Sequence, residues 1–142
     1  MKYTCFFLLI TIISLNSCNE QILTDNDEDC PSLVCTEEFR SVTVKFRDAS
    51  GKPVTVTNFG SVIRRTGKTP QSGVVDSINF KGSYAVVTDN DTKNLSTLGD
   101  TIDVSGVHHQ TNQKKTVQFV VKGGKCACHI EKVSGPEEIV FD

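Results

Sequence analysis

Two pairs of closely spaced cysteines constrain the fold more than any other feature of this sequence. Cys30 and Cys35 form one pair, and Cys126 and Cys128 form the other near the end of the 142-residue chain. An even number of cysteines in an exported chain is typical of disulfides. A bridge from Cys126 to Cys128 would close a very tight ring, so we expect each to pair with Cys30 or Cys35. The sequence leaves both cross-pairings open, and each bridge closes a loop of about 95 residues, which stabilises by about 4–5 kcal/mol.

The alternative interpretation of these cysteines is a zinc site or a free redox dithiol. The run Cys126-Ala127-Cys128-His129 offers soft ligands, but it lacks the two-residue spacing of a zinc knuckle. We expect 128–131 to form a strand, on which Cys128 and His129 point to opposite faces while Cys126 and Cys128 share one face. The sequence therefore favours disulfides and predicts neither a metal nor a cofactor.

The N-terminus has the features of an export signal. Lys2 precedes a short apolar run at 6–13, which is too short for a transmembrane helix of roughly 20 residues. The run Leu15-Asn16-Ser17-Cys18 resembles the lipobox of bacterial lipoproteins. This resemblance implies a signal peptide at 1–17, cleavage before Cys18, lipidation of Cys18 and attachment to a membrane through two or three acyl chains. Because residue 19 is Asn rather than Asp, the expected location is the outer membrane, on its periplasmic face or at the cell surface.

The rest of the chain is expected to contain a tether and one domain. Residues 18–37 are rich in acidic side chains and poor in large apolar ones, which is typical of a solvated tether. Residues 38–142 alternate apolar and polar side chains with a period of two, as half-buried strands do. We expect strands at 42–47, 54–56, 61–64, 82–88, 101–105, 116–121, 128–131 and 138–141, with a polar loop at 89–96.

This pattern predicts an all-β fold, a single antiparallel β-sandwich of about seven strands. The stretch from Val44 to Val54, a strand followed by a turn with Gly51 and Pro53, resembles immunoglobulin-like or carboxypeptidase-regulatory-like modules. An immunoglobulin-like and a transthyretin-like strand order both remain open. The segment from Cys126 to Ile139 resembles the ending of small surface lipoproteins from Bacteroidetes. That family has no assigned activity, so the resemblance implies a location and a fold rather than a reaction.

The sequence contains none of the usual catalytic motifs. His108 and His109 are adjacent, and we expect them to be solvated at a loop tip, where they are the weak candidates for a binding site. Ser77 and Thr101 each follow an Asp and precede an apolar residue. This pattern resembles the O-glycosylation signal of exported Bacteroidetes proteins, so both hydroxyls are candidate glycosylation sites.

The charge and composition of the chain limit the classes of partner that it is expected to bind. A net charge of −2 and an aromatic content of 7% give no basic surface or stacking platform, which excludes nucleic acid as an expected partner. The expected function is a non-catalytic binding or structural module of the cell envelope, with surface proteins or glycans as partners. One alternative is an accessory subunit of an outer-membrane uptake or surface-assembly system. Another is a small redox or metal-binding protein that uses Cys126, Cys128 and His129.

Overall fold

The fold is a sandwich of two β-sheets. A computed structural model of the chain describes Cys30, residues 32–71 and residues 80–142. The described residues form a three-stranded sheet in the order β3-β1-β7 and a four-stranded sheet in the order β2-β4-β5-β6. This confirms the predicted all-β sandwich. The strands are β1 (Ser41–Arg47), β2 (Val56–Ile63), β3 (Ser83–Thr88), β4 (Asp100–His108), β5 (Lys114–Lys122), β6 (Glu131–Ser134) and β7 (Glu138–Val140).

The two sheets are antiparallel with one exception. β7 pairs in parallel with β1 through Lys45–Arg47, whereas the other neighbouring strands run antiparallel. The predicted antiparallel sandwich therefore has one parallel pair of strands, β1 with β7. The reason is that the chain leaves β6 in one sheet, crosses to the other within a few residues and enters β7 beside β1. Gly135 lies in this crossover with φ 134°, and an added Cβ would lie 2.3 Å from Cδ1 of Phe119.

The core forms where the inward faces of the two sheets meet. Along β4, buried side chains alternate with partly exposed ones, as the period of two predicts. Phe46 of β1 is fully buried and contacts the ring of Tyr84 edge-on, with 5.4 Å between the ring centroids. The Tyr84 hydroxyl accepts a hydrogen bond of 2.8 Å from the backbone N–H of Val56. This bond satisfies a buried hydroxyl and links β3 in one sheet to β2 in the other.

Three predicted elements differ from the observed ones. The strands predicted at 54–56 and 61–64 are one strand, β2, with an irregularity in its pairing where Asn58 has φ 51°. The polar loop at 89–96 contains a 3-10 helix, Asp89–Asn94. The strand predicted at 128–131 starts only at Glu131, so Cys128 and His129 precede it.

Candidate functional site

Two disulfides join the N-terminal part of the described chain to the loop between β5 and β6. We call residues 30–40, of which Cys30 and residues 32–40 are described, the strap, and residues 123–130 the receiving loop. Cys30 is bonded to Cys126, with 5.2 Å between their Cα atoms, and Cys35 is bonded to Cys128, with 5.4 Å. This is one of the two cross-pairings that the sequence left open; in the other, Cys30 would pair with Cys128 and Cys35 with Cys126. Residues 32–37, which we predicted as tether, are therefore held against the domain.

Two glycines explain why the receiving loop is not the predicted strand. Gly123 and Gly124 follow β5, and Gly124 has φ 120°, which L side chains rarely adopt. The N–H of Gly124 donates to the carbonyl of Thr92 in the 3-10 helix at 2.8 Å. A Cβ on Gly124 would lie 2.5 Å from the side chain of Thr97. The backbone therefore turns away from the sheet and packs closely on the 3-10 helix, which carries Cys126 and Cys128 to the strap.

Asp89 joins the strap to the receiving loop through its carboxylate. The carboxylate accepts hydrogen bonds from the backbone N–H of Arg40 at 2.8 Å, the backbone N–H of Ile130 at 2.8 Å and Nδ1 of His129 at 2.7 Å. The Asp89 N–H donates in return to the carbonyl of Arg40 at 3.0 Å. One residue at the start of the 3-10 helix therefore holds the end of the strap and the end of the receiving loop together.

The hydrogen bonds determine the charge state of Asp89. Burial on its own would raise the pKa of the carboxyl, but the backbone bonds from Arg40 and Ile130 and the bond from His129 outweigh it. The pKa of Asp89 therefore lies below its ordinary value of 3.8. A carboxyl with a lowered native pKa stabilises the fold above the pKa of the unfolded chain. That stabilisation is lost as the pH falls through the native pKa.

His129 extends the chain of hydrogen bonds to the strap. Because the Asp89 carboxylate can only accept, Nδ1 of His129 carries the proton in this contact. In the neutral imidazole, Nε2 then accepts from the hydroxyl of Thr36, at 2.9 Å. Hydroxyl, imidazole and carboxylate stand in the order that activates a serine hydroxyl in acyl-transfer enzymes. The Cys35–Cys128 disulfide brings Thr36 and His129 together, because Thr36 follows Cys35 and His129 follows Cys128.

A shallow cleft lies beside this network. It has a volume of about 450 Å³ and is lined by residues 38–42 on one side and 130–132 on the other. An exposed ion pair between Glu38 and Arg40, 3.1 Å apart, occupies the first wall. On the second wall, Lys132 pairs with Glu137 and lies 5.5 Å from the ring centre of Phe119. Paired charges of both signs line the cleft, so it has no strong preference for an anion or a cation.

A buried carboxylate at the start of β4 has a structural role. Asp100, at the start of β4, is 3% exposed and accepts two bonds of 2.7 Å from Arg65 and one of 2.8 Å from the N–H of Ser96. Burial would raise the pKa of Asp100, but Arg65 and Ser96 lower it below its ordinary value of 3.8. Arg65 lies in the turn after β2 and Ser96 lies just before β4, so Asp100 holds together the chain at the adjoining ends of these two strands.

The predicted histidine site has a different environment from the one expected. His108 is buried rather than solvated, and its Nδ1 accepts bonds of 3.2 Å from the N–H groups of Gln110 and Thr111. Its ring contacts Phe141 edge-on, with 5.1 Å between ring centroids. Nδ1 of His109 lies 3.1 Å from the carbonyl of Thr55. His108 therefore stabilises the turn between β4 and β5, and the expectation of solvated imidazoles is wrong for it.

The other predicted site residues are distributed as follows. Thr101 lies half-buried in β4, a central strand. The signal peptide at 1–17, Cys18 and Ser77 lie outside the described residues. Within the described ranges, no group of three or more His, Cys, Asp or Glu side chains is arranged to hold a metal ion. In the same part of the chain, no helix is long and apolar enough to cross a membrane.

Sequence reasoning missed Asp89 and Thr36. The only sequence signal at Asp89 is an acidic residue directly after a strongly apolar strand, and this pattern is common. Its partner His129 lies 40 positions further along the chain, and Thr36 lies 93 positions before His129.

Comparison with family models, curated proteins and solved structures finds no match to this chain.

Proposed function

We propose that this protein is a lipid-anchored component of the cell envelope, located in the outer membrane, that acts as a non-catalytic binding or structural module. The observation that carries the proposal is the double disulfide at the strap. The bridges lie where the chain that follows the lipobox-like Cys18 enters the domain. Oxidised cysteines are typical of exported proteins, which agrees with the predicted export signal.

The strap suits the attachment point of a tether. The first described residue, Cys30, is covalently bound to the receiving loop, and Asp89 bonds to the other end of the strap at Arg40. A pull on the N-terminus is therefore transmitted to the loop after β5 through a covalent bond before it reaches β1. The chain between Cys18 and Cys30 reaches at most about 40 Å when fully extended.

The finer assignment rests on resemblance. We infer an immunoglobulin-like or carboxypeptidase-regulatory-like module of the kind found in small Bacteroidetes surface lipoproteins, and the two-sheet fold agrees with this inference. The partners that we propose are the membrane, through Cys18, and surface proteins or glycans. Ser77 and Thr101 remain candidate glycosylation sites. As an alternative within a larger assembly, the protein would be an accessory subunit of an outer-membrane uptake or surface-assembly system.

Metabolic labelling with a palmitate analogue tests the lipid anchor. We expect label in the wild-type protein and its partition into the outer-membrane fraction, and we expect both to be lost in Cys18→Ala. Cys5→Ala is the matched control, because it removes the other cysteine of the N-terminal segment. Equal labelling of wild type and Cys18→Ala would contradict the proposal.

The order Thr36–His129–Asp89 favours hydrolysis of acyl esters as a second candidate function. The Thr36 oxygen would attack the ester carbonyl and pass its proton to Nε2 of His129, which would return it to the departing alcohol. Water would then release the acid from acyl-Thr36. Incubation of the full chain with p-nitrophenyl acetate tests this: release of p-nitrophenolate that is lost in Thr36→Val supports it, and equal release by the two proteins contradicts it.

The redox or metal-binding alternative is not favoured by the geometry. Cys126 and Cys128 are both in disulfides, and both nitrogens of His129 are hydrogen-bonded within the protein. A metal would have to break these contacts before it gained its ligands. Thiol labelling of the native protein tests this alternative, which predicts free thiols at Cys126 and Cys128.

A further inference from the structure

The strap exposes large apolar side chains at its tip. Leu33 is 51% exposed and Val34 is 98% exposed, and both lie between the two bridged residues Cys30 and Cys35. Phe39, further along the strap, is 61% exposed. Isolated exposed apolar residues are normal on a protein surface. Here two of them are adjacent on a short loop whose two ends are covalently fixed.

The two disulfides reduce the conformational entropy that this loop would lose on binding. A flexible loop loses conformational entropy when it docks on a partner, and a loop that is already fixed loses less. Thr36 adds a further constraint, because its hydroxyl is bonded to His129 directly after the second bridge. The side chains of Leu33 and Val34 are therefore held in solvent by a rigid support, rather than folding back onto the domain.

We infer that the tip of the strap, Leu33 and Val34, docks into the interface of the membrane that carries the lipid anchor. The inference rests on the proposed lipidation of Cys18. The membrane is the surface that this tip can reach, because Cys30 lies only twelve positions after the proposed lipid anchor at Cys18. Of the described residues, the strap is the part joined most directly to the anchor, and a tether of at most about 40 Å keeps it near the lipid.

Apolar contact rather than charge drives this docking. The charged residues that follow the tip along the chain are of both signs, namely Glu37, Glu38 and Arg40, and Glu38 and Arg40 are paired with each other. Burial of apolar side chains at the headgroup boundary favours binding to any bilayer, whereas anionic lipid adds attraction only for basic surfaces. We therefore expect docking on vesicles of phosphatidylcholine alone.

The absence of Trp from the sequence permits a direct test. The full lipidated chain is prepared as Val34→Trp and, as a matched control, as Leu98→Trp at another site that is 70% exposed. Both are reconstituted into phosphatidylcholine vesicles with brominated acyl chains, which quench only Trp residues that contact them. We expect quenching of Trp fluorescence at position 34 at least severalfold stronger than at position 98, together with a blue-shifted emission.

Each outcome separates this inference from the proposed anchor. If neither variant floats with the vesicles, the lipid anchor is wrong, and the docking inference falls with it. If both float and are quenched equally, the anchor stands and the docking inference is overturned. Protection of position 34 from iodide without quenching by brominated lipid overturns it as well, because a second copy of the chain then covers the tip.

Discussion

Removing the two disulfides singly and together should show that their contributions to stability are not additive. The variants are Cys30→Ala with Cys126→Ala, Cys35→Ala with Cys128→Ala, and all four substitutions combined. In the chain-entropy description, the first bridge to form closes a loop of about 95 residues and stabilises by about 4.7 kcal/mol. The second bridge then closes only a small ring made of the segments 30–35 and 126–128.

The size of this ring gives the magnitude. A ring of about nine residues corresponds to about 2.6 kcal/mol in the same description. Either single-bridge variant should therefore lose about 2.5 kcal/mol, because the remaining bridge still closes the long loop. Loss of both bridges should cost about 7 kcal/mol, which is most of the stability of an ordinary single domain.

Guanidinium unfolding followed by circular dichroism measures these differences. We expect two single-bridge variants with similar, moderately lowered midpoints and a four-alanine variant whose cooperative transition is weak or lost. If one single-bridge variant loses as much stability as the four-alanine variant, the nested-loop reasoning is wrong.

Three further predictions concern single side chains. Asp89→Asn should lower the free energy of unfolding by about 2 kcal/mol near neutral pH. The asparagine amide places an NH₂ group where one carboxylate oxygen now accepts a backbone N–H, so that N–H loses its acceptor. The substitution should also flatten the loss of stability that the wild type shows as the pH falls below about 4. Thermal melts at several pH values check this against Glu37→Gln, which changes an exposed carboxylate. Gly135→Ala should destabilise by more than about 2 kcal/mol, since the new Cβ meets a buried ring. Gly51→Ala, at φ 82° in open space, is its control for backbone strain alone, and equal losses in urea unfolding would refute the clash. Tyr84→Phe should cost about 1 kcal/mol by leaving a buried N–H without its acceptor, and native-state hydrogen exchange at Val56 should rise accordingly.

The strands were predictable because burial in a sandwich imposes a period of two on the sequence. β1, β4 and β5 carry this period along most of their length, and all three were predicted within a few residues. The segment before β6 was predicted wrongly. Its apolar and polar residues fit a strand, but Gly123 and Gly124 allow a close packing against the 3-10 helix that a periodicity argument does not register.

The site was less predictable because long-range contacts define it. The cysteine spacing indicated that the two ends of the domain meet, but the choice between two pairings depends on how the strap lies along the receiving loop. The role of Asp89 depends on three donors from two distant segments. The local sequence pattern also predicted a solvated His108, whereas the residue is buried because it points inward at the end of β4.

The mass of the intact protein extracted from membranes, alkylated with and without prior reduction, tests the central claim most directly. The account predicts loss of residues 1–17, a mass that includes acyl chains on Cys18, and four alkyl groups that appear only after reduction. Peptide mapping should then show the bridges Cys30–Cys126 and Cys35–Cys128. Alkylation without reduction, or an unmodified Cys18 in a chain that keeps residues 1–17, would contradict the account of a stapled, lipid-anchored domain.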